Sequence, residues 1–240
     1  MASKNKNTKW RSAESVIAYL REIAQPQNLA GMARYGIRTE KALGTSIPIL
    51  RQLAKEIGGN HQLALDLWKT EIHEARILAC FIDSPKEMTE SQMETWVTDF
   101  NSWDLCDQCC NNLFAKTVFA RQKALEWVNR KEEFVKRAGF VMMAVLAVHD
   151  KKADDGLFRN FLKHIYQGAT DERNFVKKAV NWALRQIGKR NLALNREAIR
   201  TAERIQKLKS KSAKWIAADA LRELSDEKIL NRIKSKAGRK

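Results

Sequence analysis

Apolar residues recur every three to four positions along nearly all of this 240-residue chain, and few segments alternate with period two. That spacing lines apolar side chains along one face of an α-helix, whereas a half-buried strand needs alternation. The pattern predicts helices over Ala13–Ala24, Ile47–Ile57, Gln62–Trp68, Ile72–Ile82, Glu90–Phe100, Trp103–Ala120, Lys123–Asn129, Glu132–Val148, Asp154–Tyr166, Asp171–Lys189, Asn195–Leu208, Ala213–Leu221 and Asp226–Lys234. Leu29–Gly36 reads as one more. The breakers agree with these limits. Gly58-Gly59-Asn60 can end a helix with positive φ, Ser84-Pro85 ends another, and Asn101-Ser102 can cap the next. Only three prolines occur, at positions 26, 48 and 85.

About a dozen helices with short connections and no strands leave few architectures. They read as sequential pairs, which points to an all-α fold: a superhelical stack of antiparallel helix pairs of the HEAT kind with a concave basic cleft. No strict sequence period is visible, so the repeats are degenerate, and a globular helical bundle is the alternative. Residues 1–12 read as a basic flexible tail, 13–235 as one HEAT-like domain and 236–240 as a basic C-terminal tail.

Composition narrows the partner. With 44% hydrophobic residues the chain can bury a core, which excludes a disordered polycation. Lys and Arg number 44 against 28 Asp and Glu, a formal charge of +16. Asp171–Lys240 holds 20 basic and 8 acidic residues, so +12 of that charge lies in a folded-looking last third. Such a concentration most simply meets a polyanion, and a merely soluble basic surface is the rival reading. The longest apolar run, Ala138–Val148, is shorter than the roughly 20 residues a bilayer needs. No hydrophobic stretch follows the first residues, so no secretory signal is read. Four cysteines are not a disulfide scaffold. Together these features predict a reduced, cytoplasmic protein.

Three segments carry chemistry. In Asp171–Lys189, helical spacing puts Val176, Val180, Ala183 and Ile187 on one stripe and Lys178, Trp182, Arg185 and Lys189 on the opposite one. A Trp facing away from the core is unusual, and within a cationic stripe it suits a surface that tracks a nucleic-acid backbone and stacks a base or sugar. In Asn101–Phe114, Trp103, Asp107, Cys110 and Phe114 share one face of the expected helix. Asp107 is then a carboxylate among apolar neighbours, which needs either a partner or a role. Asp104, in the first turn, reads as structural. Cys106 and Cys109 have no second CxxC and no histidine at ligand spacing, and read as core packing rather than a zinc or redox site. In Glu132–Val148, the helix is apolar all round from Ala138 and therefore deeply buried. Arg137 projects along its stripe, and a guanidinium there needs an acceptor, with Asp107 an available carboxylate.

At these segments the chain resembles the HEAT-like DNA alkylation repair family, the AlkD-type DNA glycosylases. The matching pieces are Trp103-Asp-Leu-Cys-Asp107, the Lys136-Arg137 pair opening a buried apolar helix, and Phe175-Val-Lys-Lys-Ala-Val-Asn-Trp182-Ala-Leu-Arg-Gln. Supporting stretches are Ser46-Ile-Pro-Ile-Leu-Arg-Gln-Leu-Ala-Lys and Glu74-Ala-Arg-Ile-Leu-Ala. Ser102 departs from the pattern, because some members carry a Trp there, and the region around Tyr35 is not aligned. The resemblance implies a monofunctional DNA glycosylase that hydrolyses the N-glycosidic bond of positively charged N3- or N7-alkylated purines in duplex DNA. It implies Asp107 as catalytic carboxylate, Arg137 as its partner, and Trp103 and Trp182 as walls of the lesion cleft. Lys136, Lys177, Lys178, Arg185, Lys189, Arg190 and Lys214 are the expected DNA contacts. No metal or other cofactor is implied, no membrane is expected, and one concave face serving one duplex suggests a monomer. Some relatives with this fold bind DNA without excising bases, and a helical scaffold for an acidic protein is a more distant alternative.

Overall fold

The computed structural model describes residues 10–237, with side chains described to residue 235. The outer parts of both expected tails lie outside the described residues. Among the described residues the chain is all-helical, with fourteen α-helices and two 3-10 turns. No helix among them is long and apolar enough to cross a membrane. The chain divides into two compact units, Met1–Val118 and Phe119–Lys240.

The first unit contains α1 (Ala13–Glu22), α2 (Leu29–Arg34), α3 (Ile47–Ile57), α4 (His61–Lys69), α5 (His73–Ile82), α6 (Glu90–Thr98) and α7 (Trp103–Asn112). Order begins before the expected boundary at residue 13, because Trp10 is buried edge-on to Tyr19, 5.0 Å between ring centres. Pro48 in the first turn of α3 and Gly58 at φ 78° just past its last residue fix both ends of that helix. α5 is buried along almost its whole length and is the centre of this unit. Three hydrogen bonds join residues 31 apart: Leu43 N–H to Glu74 Oε2, Trp68 Nε1–H to Asp99 Oδ2, and His73 with Asp104. This recurrent separation is the structural repeat that the sequence does not display.

The second unit contains α8 (Ala120–Trp127), α9 (Glu133–His149), α10 (Asp155–Gly168), α11 (Asn174–Gly188), α12 (Leu192–Gln206), α13 (Lys211–Leu224) and α14 (Glu227–Ala237). α9 is the all-round apolar helix, and Phe140 to Ala147 are buried without exception. Gly139 lets α8 approach it closely, since a Cβ there would meet the Val128 backbone nitrogen at 2.6 Å. Here the recurrent separation is 38 residues. It joins Arg137 to Phe175, Arg159 to Glu197, Glu172 to Ser210, Asn181 to Asp219 and Arg185 to Glu223. Two rungs of equal offset between α11 and α13 mean that these helices run parallel. α9 packs on α11, α11 on α13 and α10 on α12, which is the helix-on-next-but-one stacking of a HEAT-like repeat.

One predicted helix needs correction. Trp103–Ala120 is not continuous: α7 stops at Asn112, a 3-10 turn covers Phe114–Lys116, and α8 starts at Ala120. Asn112 turns its side-chain amide back onto the Gln108 carbonyl, 2.7 Å away. This local bond competes with helix propagation. Phe114 therefore leaves the face shared by Trp103 and Asp107 and stacks on Phe100, 5.9 Å between centres. Ser102 does occupy the N-cap position of α7 with extended backbone, but its side chain makes no capping bond.

Candidate functional site

In the first unit the site is built on α7. Leu105, Cys106, Cys109 and Cys110 are its buried face. Cys80 of α5 lies against Cys109, and all four cysteines are free thiols. Burial and the neighbouring thiols push the Cys109 thiol well above its ordinary range. A thiol held neutral is a poor nucleophile, as the packing reading requires. Among the described residues no group of three or more His, Cys, Asp or Glu is placed to hold a metal ion.

Trp103 and Asp107 lie one turn apart on α7, both half-buried. The Trp103 indole N–H donates to the Tyr35 carbonyl at 3.0 Å, so the unaligned segment passes directly beside the expected lesion-cleft tryptophan. The Tyr35 residue is 71% exposed there. Two fastenings hold α7. At its start, Asp104 pairs with the buried His73 ring at 2.8 Å. Towards its end, Arg51 of α3 donates to Gln108 Oε1 at 3.0 Å and Asn112 Oδ1 at 3.3 Å, with its guanidinium over the Phe81 ring. Asp104 is thus structural, as expected, but through a histidine rather than the helix dipole alone.

In the second unit, Arg137 is 5% exposed and its Nη1 donates to the Phe175 carbonyl in the first turn of α11, at 2.6 Å. Val176, Val180, Ala183 and Ile187 are fully buried, as their stripe predicts. Trp182 is half-buried and Lys178 exposed on the other side.

The expected DNA contacts separate into two groups. Lys178 and Lys214 are exposed and in no ion pair among the described residues, and Lys177 sits over the Trp215 ring at 5.1 Å. The rest are engaged internally. Lys136 pairs with Asp171 at 3.0 Å, and Arg173 grips the same carboxylate at 2.6 Å. Burial opposes the Asp171 charge, but these hydrogen bonds outweigh it and hold the pKa down at about 2. Arg185 and Lys189 both reach Glu223 at 2.7 Å. Arg190 donates to the carbonyls of Ala147, Asp150 and Ala153 and covers the Phe158 ring, so it closes the C-terminal end of α9. A cation with an internal acid at 2.7 Å has less to offer a phosphate than its charge suggests.

Trp215 is the residue that sequence reasoning passed over. It is 43% exposed on α13. The signal was present: Lys211-Ser-Ala-Lys214-Trp215 sets a Trp one helical turn after a Lys, the same pattern that singles out Trp182.

The helix pairing and the 38-residue stacking define a HEAT-like helical repeat protein. The chain matches the model of the DNA alkylation repair enzyme family over residues 16–224, and it belongs to that family. It is also similar in fold to a solved structure described as "a new family of proteins related to the HEAT-like repeat DNA glycosylases with affinity for branched DNA structures". That likeness has a TM-score of 0.74 at 19% identity, covering 88% of this chain and 95% of the other. No curated protein matches the chain.

Proposed function

We propose that the protein is a monofunctional DNA glycosylase that removes N3- or N7-alkylated purines from duplex DNA. The observation that carries this reading is Asp107, half-buried one turn after Trp103 on a helix fastened by His73 and Arg51 in a chain of the DNA alkylation repair family. The chemistry suits a carboxylate that works without a general acid. An alkylated purine already carries positive charge, so it departs without a general acid. The C1′–N bond breaks, its electron pair goes with the base, and the base becomes neutral. The sugar develops oxocarbenium character, which a nearby carboxylate stabilises. Water forms the new C1′–O bond and loses its proton to bulk water, and an abasic site remains. In this reading Asp107 faces the sugar, and Arg137 has the supporting role that the family resemblance implies for it. Trp103 and Trp182 border the cationic nucleotide through contacts worth about 0.5–2 kcal/mol each. Lys177, Lys178 and Lys214 are the cations best disposed to meet phosphates, because they lack the internal acid partners of Lys136, Arg185 and Lys189.

A second reading is a binder of branched DNA that excises nothing. The affinity described for the solved relative favours it. Incubating the protein with methylated duplex DNA and measuring free base separates the two. Release of alkylpurine supports the glycosylase, whereas tight junction binding without release supports the binder.

A further inference from the structure

We infer that the α11–α13 face centred on Trp215, whose lysines the proposed function gives to duplex phosphates, also takes an unpaired base of single-stranded DNA next to that duplex. The inference rests on the reading of this protein as a DNA-binding one and adds a site for a DNA form that reading does not require.

Four observations carry it. First, Trp215 is one of only three large hydrophobic residues exposed among the described residues, and exposing an indole forfeits burial that every other Trp obtains at least in part. Second, its surroundings are cationic. Lys177 lies over the ring at 5.1 Å, Lys211 is one turn before it, Lys214 precedes it, and Lys178 adjoins Lys177. Third, the nearby acid Glu172 accepts from the Ser210 and Ser212 hydroxyls at 2.7 and 3.0 Å and holds the start of α13; its charge also feels Lys177, so Lys178, Lys211 and Lys214 are the cations left to the surface. Fourth, charge along the α11–α13 ladder is divided. At its C-terminal end Arg185 and Lys189 are matched by Glu223, and Asp219 takes Asn181 and Arg185. At its N-terminal end Lys178, Lys211 and Lys214 have no ion pair among the described residues. Asp219, one turn beyond Trp215, pairs with Arg222, the next cation of α13.

An aromatic ring with a cation on one face and lysines around its rim matches a base and its flanking phosphates. The free ring surface stacks the base, and the ammonium groups meet the backbone. Bases within a duplex are already stacked, so the occupant is an unpaired nucleotide at a tail, gap or branch. An acidic peptide would use the lysines but gain little from the indole.

The test compares blunt duplex, the same duplex with a thymidine tail, the thymidine strand alone and an acidic peptide, each titrated by fluorescence anisotropy against wild-type, W215A and W215F proteins. Loss of one stacked base is expected to weaken tailed and single-stranded binding about 5- to 100-fold in W215A, with W215F recovering most of it. Blunt-duplex affinity should move less than about threefold. Equal loss on all DNAs, no loss on any, or a W215A effect only on the peptide would overturn the inference. Base release by the wild-type protein is read in parallel. Release with no Trp215 effect removes this site and leaves the glycosylase reading standing. A Trp215 effect on tailed DNA with no release does the reverse.

Discussion

His73 Nε2 and Asp104 Oδ2 lie 2.8 Å apart between α5 and α7, with the histidine side chain 5% and the aspartate 14% exposed. Burial opposes both charges, but for each the hydrogen bond and the charge of the other prevail. The His73 pKa is raised above 6.5 and that of Asp104 lowered below 3.8. Glu74 adds to the histidine's charge and Arg76 opposes it. The pair spans adjacent helices and sits at the first turn of the helix that carries Trp103 and Asp107, so it sets where that helix starts.

The sign of the pH dependence follows. A raised His73 pKa contributes stability that is full below 6.5 and lost as pH rises through the folded value. A lowered Asp104 pKa contributes stability present above 3.8 and lost as pH falls through its folded value. The pair therefore supports the fold most between those limits. Urea unfolding followed from pH 5 to 9 should show the midpoint falling on the alkaline side. H73Q should lower stability at pH 6 by about 3 kcal/mol, because it leaves a buried carboxylate without its charge partner. It should also flatten the alkaline slope. An unaltered slope in H73Q would assign that pH dependence to other groups.

The basic stripe of α11 leads to a second prediction. Lys178 and Lys189 occupy the same sequence stripe, yet Lys178 is exposed and Lys189 is held by Glu223 at 2.7 Å. Removing one lysine–phosphate interaction lowers the slope of log affinity against log salt by about 0.9. K178A should show up to that full reduction on duplex DNA between 50 and 200 mM salt. K189A should show a smaller one, and E223Q, which releases Lys189 and leaves Arg185 only its 3.4 Å contact with Asp219, should steepen the slope. Equal effects of K178A and K189A would mean that Glu223 gives up its cations on binding.

These residues also show what was legible in the sequence. The limits of α3 were readable to the residue because Pro48 and Gly58 act locally. The buried stripe of α11 was readable because its spacing is periodic. The break after Asn112 was not, since it depends on one side chain bonding its own helix. Nor was the 38-residue repeat. Its rungs pair Arg137 with a backbone carbonyl, Asn181 with Asp219 and Glu172 with a serine, so geometry recurs while residue type does not. The loss of Arg185 and Lys189 from the free basic surface was hidden for the same reason, because it requires knowing that α13 lies alongside α11 in parallel. At the candidate site, the shared face of Trp103 and Asp107 was legible from their spacing, whereas the Tyr35 carbonyl beside Trp103 is 68 residues away.

The catalytic assignment gives the last prediction. D107N keeps the shape of the side chain and removes its charge. If the carboxylate stabilises an oxocarbenium-like sugar, the transition state suffers far more than the ground state, whose charge lies on the base. Release of 3-methyladenine or 7-methylguanine from duplex DNA under single-turnover conditions should then fall on the order of a hundredfold or more, while duplex affinity changes only a few-fold. The fastenings of α7, Asp104 with His73 and Arg51 with Gln108, remain in the variant, and circular dichroism checks that it is folded. Wild-type release rates in a folded D107N protein would remove Asp107 from the chemistry.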